Sequence, residues 1–122
     1  MVTKQIALLI IDHGSKYTAA NESLEEVADY LREDRPDLIV EIAHMELAEP
    51  SIRDGYLKCV SKGATHIIAH PYMLSKGRHA VRDIPNMVME VASEHPDIKT
   101  DVTEPLGPHS LITSVILERA GL

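Results

Sequence analysis

Apolar runs and helical periodicities alternate four times along the chain. The run "QIALLIID" (5–12) is too continuous for a half-exposed strand and predicts a strand buried on both faces. In the next segment (19–34), Leu24, Val27, Ala28 and Leu31 have the i, i+3, i+4, i+7 spacing of one helix face. Further strands are predicted at 37–47, 64–74 and 97–106. Further helices are predicted between the caps Ser51 and Gly63, at 82–96 with Asp83 as a possible cap, and at 108–122.

Four successive βα units predict a parallel sheet with helices on both faces. The first and third strands are almost entirely apolar, whereas the second contains Glu41 and the fourth contains Lys99 and Asp101, so the polar strands belong at the edges. The predicted fold is a flavodoxin-like three-layer αβα sandwich with a four-stranded parallel sheet in the order 2-1-3-4. This order opens a crevice beyond the carboxyl ends of strands 1 and 3. A chain of 122 residues forms a single domain, 1–122.

Charge and cysteine content narrow the class of protein. A net charge of −7 argues against non-specific nucleic-acid binding, which needs a basic face, and favours a small-molecule or protein partner. The first apolar run ends at Asp12 after six residues, so we expect neither a signal peptide nor a membrane span. Cys59 is the only cysteine, which excludes an intramolecular disulfide and any all-cysteine metal site within one chain. We expect a cytoplasmic protein.

Three candidate functional residues follow the first three strands. His13 precedes the small residues Gly14 and Ser15, Glu46 ends the second strand, and His79 lies after the third. Two histidines and a carboxylate suit a divalent metal such as Fe, Co, Ni or Zn, with positions left open for a substrate. The alternatives are structural: a strand-end histidine bonded to backbone, and a solvated or helix-capping glutamate.

The segment "PYMLSKGRHAVRDIP" (71–85) concentrates positive charge in an acidic chain, because Lys76, Arg78 and Arg82 surround His79. A local basic patch predicts a seat for an anion, and the alternative is a solvated loop. Asp83 either orients His79 or caps a helix. The other histidines are predicted to be structural: His44 facing the sheet edge, His70 in the core, His66 and His95 at the surface, and His109 capping the last helix.

Several other functions found on flavodoxin-like folds require residues that this chain lacks. No aspartate ends the third strand, as a response regulator requires, and no G-x-G-x-x-G follows the first, as a dinucleotide site requires. Asp12 stands where a histidine phosphatase has arginine. Ser15 lacks the strand-to-helix elbow of a hydrolase nucleophile.

Four segments in order, "HGSKYTAAN", "MELAEPSI", "PYMLSKGRHAVRDIP" and "PLGPHSLI", span nearly the whole chain. Together they resemble the class II tetrapyrrole chelatases, specifically the small single-domain sirohydrochlorin chelatases of the CbiX type. The resemblance implies insertion of Co²⁺ or Fe²⁺, or else Ni²⁺, into sirohydrochlorin during cobalamin or siroheme biosynthesis. It implies no organic cofactor, because the metal is a substrate.

The resemblance also implies roles for individual residues. His13, His79 and Glu46 would bind the metal and accept the pyrrole protons, in a division that the sequence leaves open. The tetrapyrrole would contact Ser15, Lys16, Tyr72, Leu74, Lys76, Gly77, Arg78 and Arg82. Larger relatives resemble two such lobes in one chain, which implies a homodimer here. The alternative function is a metal or tetrapyrrole carrier that performs no insertion.

Overall fold

The computed structural model describes residues 3–122, which form four strands and four helices in strict alternation. The strands are β1 (Ile6–Asp12), β2 (Ile39–His44), β3 (His66–Pro71) and β4 (Lys99–Val102). The helices are α1 (Thr18–Asp34), α2 (Ile52–Ser61), α3 (Ile84–Ala92) and α4 (Ser110–Ala120). A single π-helical turn, His79–Asp83, leads directly into α3. No helix within this part of the chain has both the length and the apolar character needed to cross a membrane.

The sheet is parallel throughout, and its order β2-β1-β3-β4 confirms the prediction. Asp12 lies opposite His44, and Ile11 lies opposite Pro71, so the carboxyl ends of β1, β2 and β3 meet at one edge. We call this edge, with the loops that follow it, the rim. The last three strands are shorter than predicted, because the chain leaves the sheet at 44, 71 and 102 and enters the rim loops.

One face of the sheet lies under α2 and α3. Leu9, Ile11 and Ile67 are fully buried there against Tyr56 of α2 and Val88 of α3. The absence of Phe and Trp therefore leaves a core of aliphatic side chains around one tyrosine. This packing fixes the ends of β1 and β3, from which the rim loops start.

The other face is covered by α1 over β1 and β2. Ile10 and Val40 are buried against Leu24 and Ala28, two members of the predicted helical stripe. The two helix layers confirm the three-layer architecture. The last helix, α4, contributes no buried residue to either layer.

The predicted helix ends are found at Ser51, His109 and Gly63 but not at Asp83. Ser51 caps α2 by accepting a hydrogen bond from the Asp54 amide at 3.1 Å, and His109 caps α4 through the Leu111 amide at 3.1 Å. Gly63 follows α2 with a φ of +92°, as a C-terminal glycine does. The prediction of Asp83 as a cap was wrong, because its side chain makes no capping hydrogen bond.

Among the histidines predicted to be structural, His66 and His70 contact residues in or just after β4, whereas His44 is buried. His66 contacts Asp101 of β4 at 2.7 Å, and His70 donates to the hydroxyl of Thr103, just after β4, at 2.7 Å. Burial lowers the pKa of His70 below its ordinary value. The prediction for His44 was wrong: it is 2% exposed rather than facing outward from the sheet edge.

Candidate functional site

The three candidate residues come together at the rim from three separate loops. His13 follows β1, Glu46 follows β2 and His79 opens the π-helical turn before α3. The rings of His13 and His79 meet edge to face, with their centroids 5.0 Å apart and their planes at 64°. The structure therefore places His13 beside both Glu46 and His79 at the rim.

His13 and Glu46 form the closest pair of donor atoms, with 3.1 Å between Nε2 and Oε1. The His13 Nδ1 donates to the Gly14 carbonyl at 3.1 Å, so in the neutral ring Nε2 has a free lone pair facing the carboxylate. At metal–ligand bonds of about 2.1 Å, neighbouring ligands lie about 3.0 to 3.4 Å apart. The spacing of Nε2 and Oε1 therefore fits two ligands of one metal ion.

The backbone brings this pair together. Met45 donates to the Asp12 carbonyl at 2.9 Å and Glu46 donates to the His13 carbonyl at 3.0 Å, which extends the pairing of β1 and β2 into the loops. Gly14 makes this approach possible: a Cβ there would lie 1.8 Å from the Glu46 carbonyl oxygen. Its φ of +91° is also a conformation that other residues rarely adopt.

Directly behind His13 lies a pair that the sequence did not reveal. The buried His44 places Nδ1 2.6 Å from the Asp12 carboxylate, and the two residues face each other in register at the ends of β2 and β1. This contact joins the two strand ends from which His13 and Glu46 emerge.

A second contact was also not predicted from the sequence. The Asn21 side chain accepts a hydrogen bond from the Ser15 amide and donates one to the Ser15 carbonyl, which fixes the loop after β1.

His79 is oriented by Asp83, one turn further along. Its Nδ1 donates to the Asp83 carboxylate at 2.8 Å, which leaves Nε2 unprotonated in the neutral ring. The hydrogen bond from His79, followed by that from Arg82, lowers the pKa of Asp83 below its usual value. Asp83 therefore remains an anion, and such a carboxylate fixes the tautomer and the orientation of the histidine ring.

The predicted cations lie at the surface, in the loops after β1 and β3 and in the π-helical turn. Lys16, Lys76, Arg78 and Arg82 are all exposed, and the nearest carboxylates are Glu104, 3.5 Å from Lys76, and Asp83, 3.4 Å from Arg82 and 3.8 Å from Arg78. Such exposed pairs are weak, so these side chains are available to an anion.

The remaining predicted contacts differ in their surroundings. Tyr72 and Leu74 are exposed beside the rim, as an apolar seat requires. The Ser15 hydroxyl accepts from the Tyr17 amide at 3.0 Å, so it supports the loop. Gly77 starts the helical turn through its carbonyl, and a Cβ there would meet only the Ser75 hydroxyl at 4.0 Å.

The site is an open cleft rather than a closed metal cage. A cavity of about 370 Å³ is lined by Met45, Glu46, His79, Asp83, Asn86 and Met87. Within residues 3–122, no three His, Cys, Asp or Glu side chains converge as a complete ligand set. Two neighbouring ligands, His13 and Glu46, with His79 as a base beside them suit a metal ion that is bound only transiently.

A family model and two sirohydrochlorin chelatases of known name match this chain. A family model described as CbiX matches residues 7–121. The chain is 43% identical over 112 residues to the chloroplastic sirohydrochlorin ferrochelatase of Arabidopsis thaliana, a match that covers 92% of this chain and 50% of that protein. It is 28% identical over 127 residues to the sirohydrochlorin cobaltochelatase of Methanosarcina acetivorans, covering 97% of this chain and 96% of the relative.

A solved structure has the same fold. The sirohydrochlorin chelatase SirB from Bacillus subtilis subspecies spizizenii, in complex with cobalt, superposes with a TM-score of 0.89 and 30% identity. The match covers 96% of this chain and 50% of the SirB chain. The chain therefore spans about half the length of SirB and of the Arabidopsis relative.

Proposed function

The chain belongs to the CbiX family, and from this premise we propose that it inserts a divalent metal ion into sirohydrochlorin. The observation that supports this most strongly is the 3.1 Å spacing of His13 Nε2 and Glu46 Oε1, with the His79 ring 5.0 Å from that of His13. Metal insertion needs two side chains that can bind the metal ion and an oriented base next to them.

The chemistry divides into two tasks. A divalent ion must exchange water for pyrrole nitrogens, and the macrocycle must lose two N–H protons as the metal enters. His13 and Glu46 hold the metal substrate through an imidazole nitrogen and a carboxylate oxygen, a donor set that binds Fe²⁺, Co²⁺ and Ni²⁺ alike. Ligands on one side only leave the opposite side of the ion open to the macrocycle.

His79 accepts a pyrrole proton at Nε2. Its hydrogen bond to Asp83 keeps the other nitrogen protonated, and the anion stabilises the imidazolium that forms. The proton then passes to solvent, because the His79 side chain is 44% exposed, and the deprotonated ring accepts the second pyrrole proton in the same way.

The exposed cations of the rim bind the carboxylates of sirohydrochlorin. Lys16, Lys76, Arg78 and Arg82 give this acidic chain a local positive surface. Tyr72 and Leu74 contact the face of the ring.

Residues 1–122 act as one lobe, and two copies pair so that their rims face each other. Support comes from length: one copy accounts for about half of the SirB chain. A reducing compartment such as the cytoplasm suits the single, unpaired Cys59.

The test is an anaerobic insertion assay with purified protein, sirohydrochlorin and, in parallel, Fe²⁺, Co²⁺ or Ni²⁺. The absorption spectrum of the macrocycle should change faster than in the same mixture without protein, and the fastest metal identifies the preferred substrate. If the protein binds metal or macrocycle without accelerating metal insertion, it is a carrier rather than an enzyme.

A further inference from the structure

Leu47, the residue after Glu46, has a side chain that does not suit its backbone. Among residues 3–122 it is the only residue other than glycine with a positive φ, at +67°. Glycine and asparagine adopt this left-handed conformation readily, whereas a leucine there is strained because its Cβ crowds a backbone carbonyl. The backbone at this position therefore favours a residue other than leucine.

The surroundings of the side chain do not favour leucine either. Leu47 is 56% exposed, so burial in the core does not offset the strain. An exposed leucine by itself is ordinary, but this one gains stability neither from its conformation nor from burial. Backbone outliers of this kind are found at ligand-binding sites, where the residue serves function.

Contacts at both ends of the loop after β2 hold Leu47 in this conformation. The Glu46 amide donates to the His13 carbonyl at 3.0 Å, which fixes the residue before it. Three residues after Leu47 the chain is back at the sheet, where the His44 amide donates to the Pro50 carbonyl at 2.8 Å. The loop is therefore closed at its base.

The sheet order places Leu47 on the side of the site that lacks an apolar contact. Tyr72 and Leu74 follow β3, Leu47 follows β2, and β1 with the His13 loop lies between them. Neighbouring strands are about 4.8 Å apart, so the two loops flank His13 closely. A metal ion held by His13 and Glu46 enters the centre of the macrocycle, and the ring therefore extends to both sides of that pair.

We propose that Leu47 binds the face of the tetrapyrrole on the β2 side of the metal, as Tyr72 and Leu74 do on the β3 side. The exposed leucine is buried against ring carbon atoms, which strengthens binding in proportion to the apolar area removed from water. The inference rests on the proposed function and adds a substrate-binding residue next to Glu46.

Leu47→Asn separates the role of the side chain from that of the backbone. Asparagine tolerates the left-handed conformation but is polar. The melting temperature should therefore rise by about 2 to 5 °C. The Kd for sirohydrochlorin without metal should rise about 5- to 20-fold, measured anaerobically from the absorption of the macrocycle. A side chain with a purely structural role would give the opposite change in stability and leave this Kd unchanged.

Two further variants and a change of salt serve as controls. Leu47→Met keeps an apolar side chain and should bind sirohydrochlorin as wild type does. Leu57→Asn, at a leucine of α2 that is 38% exposed, should lower the melting temperature, because asparagine is a poorer helix former, and leave the Kd unchanged. High salt should not reduce the ratio of the Leu47→Asn and wild-type Kd values, because salt screens charges rather than apolar contacts.

Any of four results with Leu47→Asn would overturn the contact. A wild-type Kd for sirohydrochlorin means that Leu47 lies outside the bound macrocycle. A lower melting temperature means that the side chain is needed for the fold. A weaker Kd for Co²⁺ without macrocycle means that Leu47 acts through Glu46. A smaller mass by light scattering means that a second copy of the chain covers Leu47.

Binding and insertion are measured separately, so the contact and the proposed function can fail separately. If Leu47→Asn weakens the binding of sirohydrochlorin but wild type inserts no metal, the contact holds and the proposed function fails. If wild type inserts metal and both proteins bind the macrocycle equally, the function holds and the contact fails. A wild-type protein that does not bind sirohydrochlorin contradicts both.

Discussion

The Nδ1–H group of His79 donates a hydrogen bond of 2.8 Å to the carboxylate of Asp83, which lies one helical turn further along the chain. Asp83→Asn keeps the shape of the side chain but removes the charge that stabilises the imidazolium. We expect kcat for metal insertion to fall about 10- to 100-fold, the usual effect of losing such an orienting carboxylate. KM for sirohydrochlorin should change little. Initial rates over a range of sirohydrochlorin concentrations measure both constants.

The matched control is Asp37→Asn, which removes an exposed carboxylate that is paired with Arg35 away from the rim. It should leave kcat unchanged. If Asp83→Asn behaves like this control, Asp83 has no part in proton transfer.

Glu46→Gln should weaken metal binding. The substitution replaces the carboxylate oxygen that lies 3.1 Å from His13 Nε2 by a neutral amide of the same shape. We expect the Kd for Co²⁺ to rise at least about tenfold, equivalent to about 1.4 kcal/mol. Calorimetric titration of the macrocycle-free protein measures it. Glu49→Gln, at the exposed acid three residues later, is the control, and equal affinities in the two variants would remove Glu46 from the metal site.

Lys76→Ser combined with Arg78→Ser should raise KM for sirohydrochlorin about 3- to 30-fold with little change in kcat, because exposed charge pairs contribute modestly to binding. The increase should be smaller at high salt, which screens such contacts. The control is Lys4→Ser with Lys99→Ser, which removes the same charge at the opposite edge of the sheet. A loss confined to kcat would mean that these cations do not bind substrate carboxylates.

His70 should make the fold sensitive to acid. Burial lowers its pKa in the folded protein below the value of 6.5 expected for the unfolded chain. As the pH falls below 6.5, the unfolded chain takes up the proton first, so this group destabilises the fold increasingly until the folded pKa is passed. Urea denaturation at pH 7.5 and 5.5, at one protein concentration, should show a larger loss for wild type than for His70→Gln. Equal losses would show that His70 titrates alike in both states.

The fold and the meeting of the three candidate residues were predictable for a simple reason. The polarity of the strands fixed the order 2-1-3-4, and in that order the loops after the first three strands share one edge whatever their details. His13, Glu46 and His79 needed nothing more than this topology to meet.

The contacts that depend on register were not predictable. The pairing of His44 with Asp12 requires the two strand ends to lie directly opposite each other, and no local pattern encodes that alignment. Glu41 in the second strand predicts a polar edge strand. The edge position is right, but the side chain is 5% exposed and bound to Lys62 at 2.8 Å, a partner from a different element. The exposure of α4 likewise depends on long-range packing.

The most direct test of the account is the insertion rate of His13→Ala and His79→Ala beside wild type. Both side chains are more than two-fifths exposed, so their removal should leave the fold intact by circular dichroism. His95→Ala, after α3, is the control and should keep the wild-type rate. We predict that each rim variant falls at least about 100-fold, as for loss of a catalytic base, toward the rate without protein. Folded variants that both insert metal at the wild-type rate would contradict the assignment of the site.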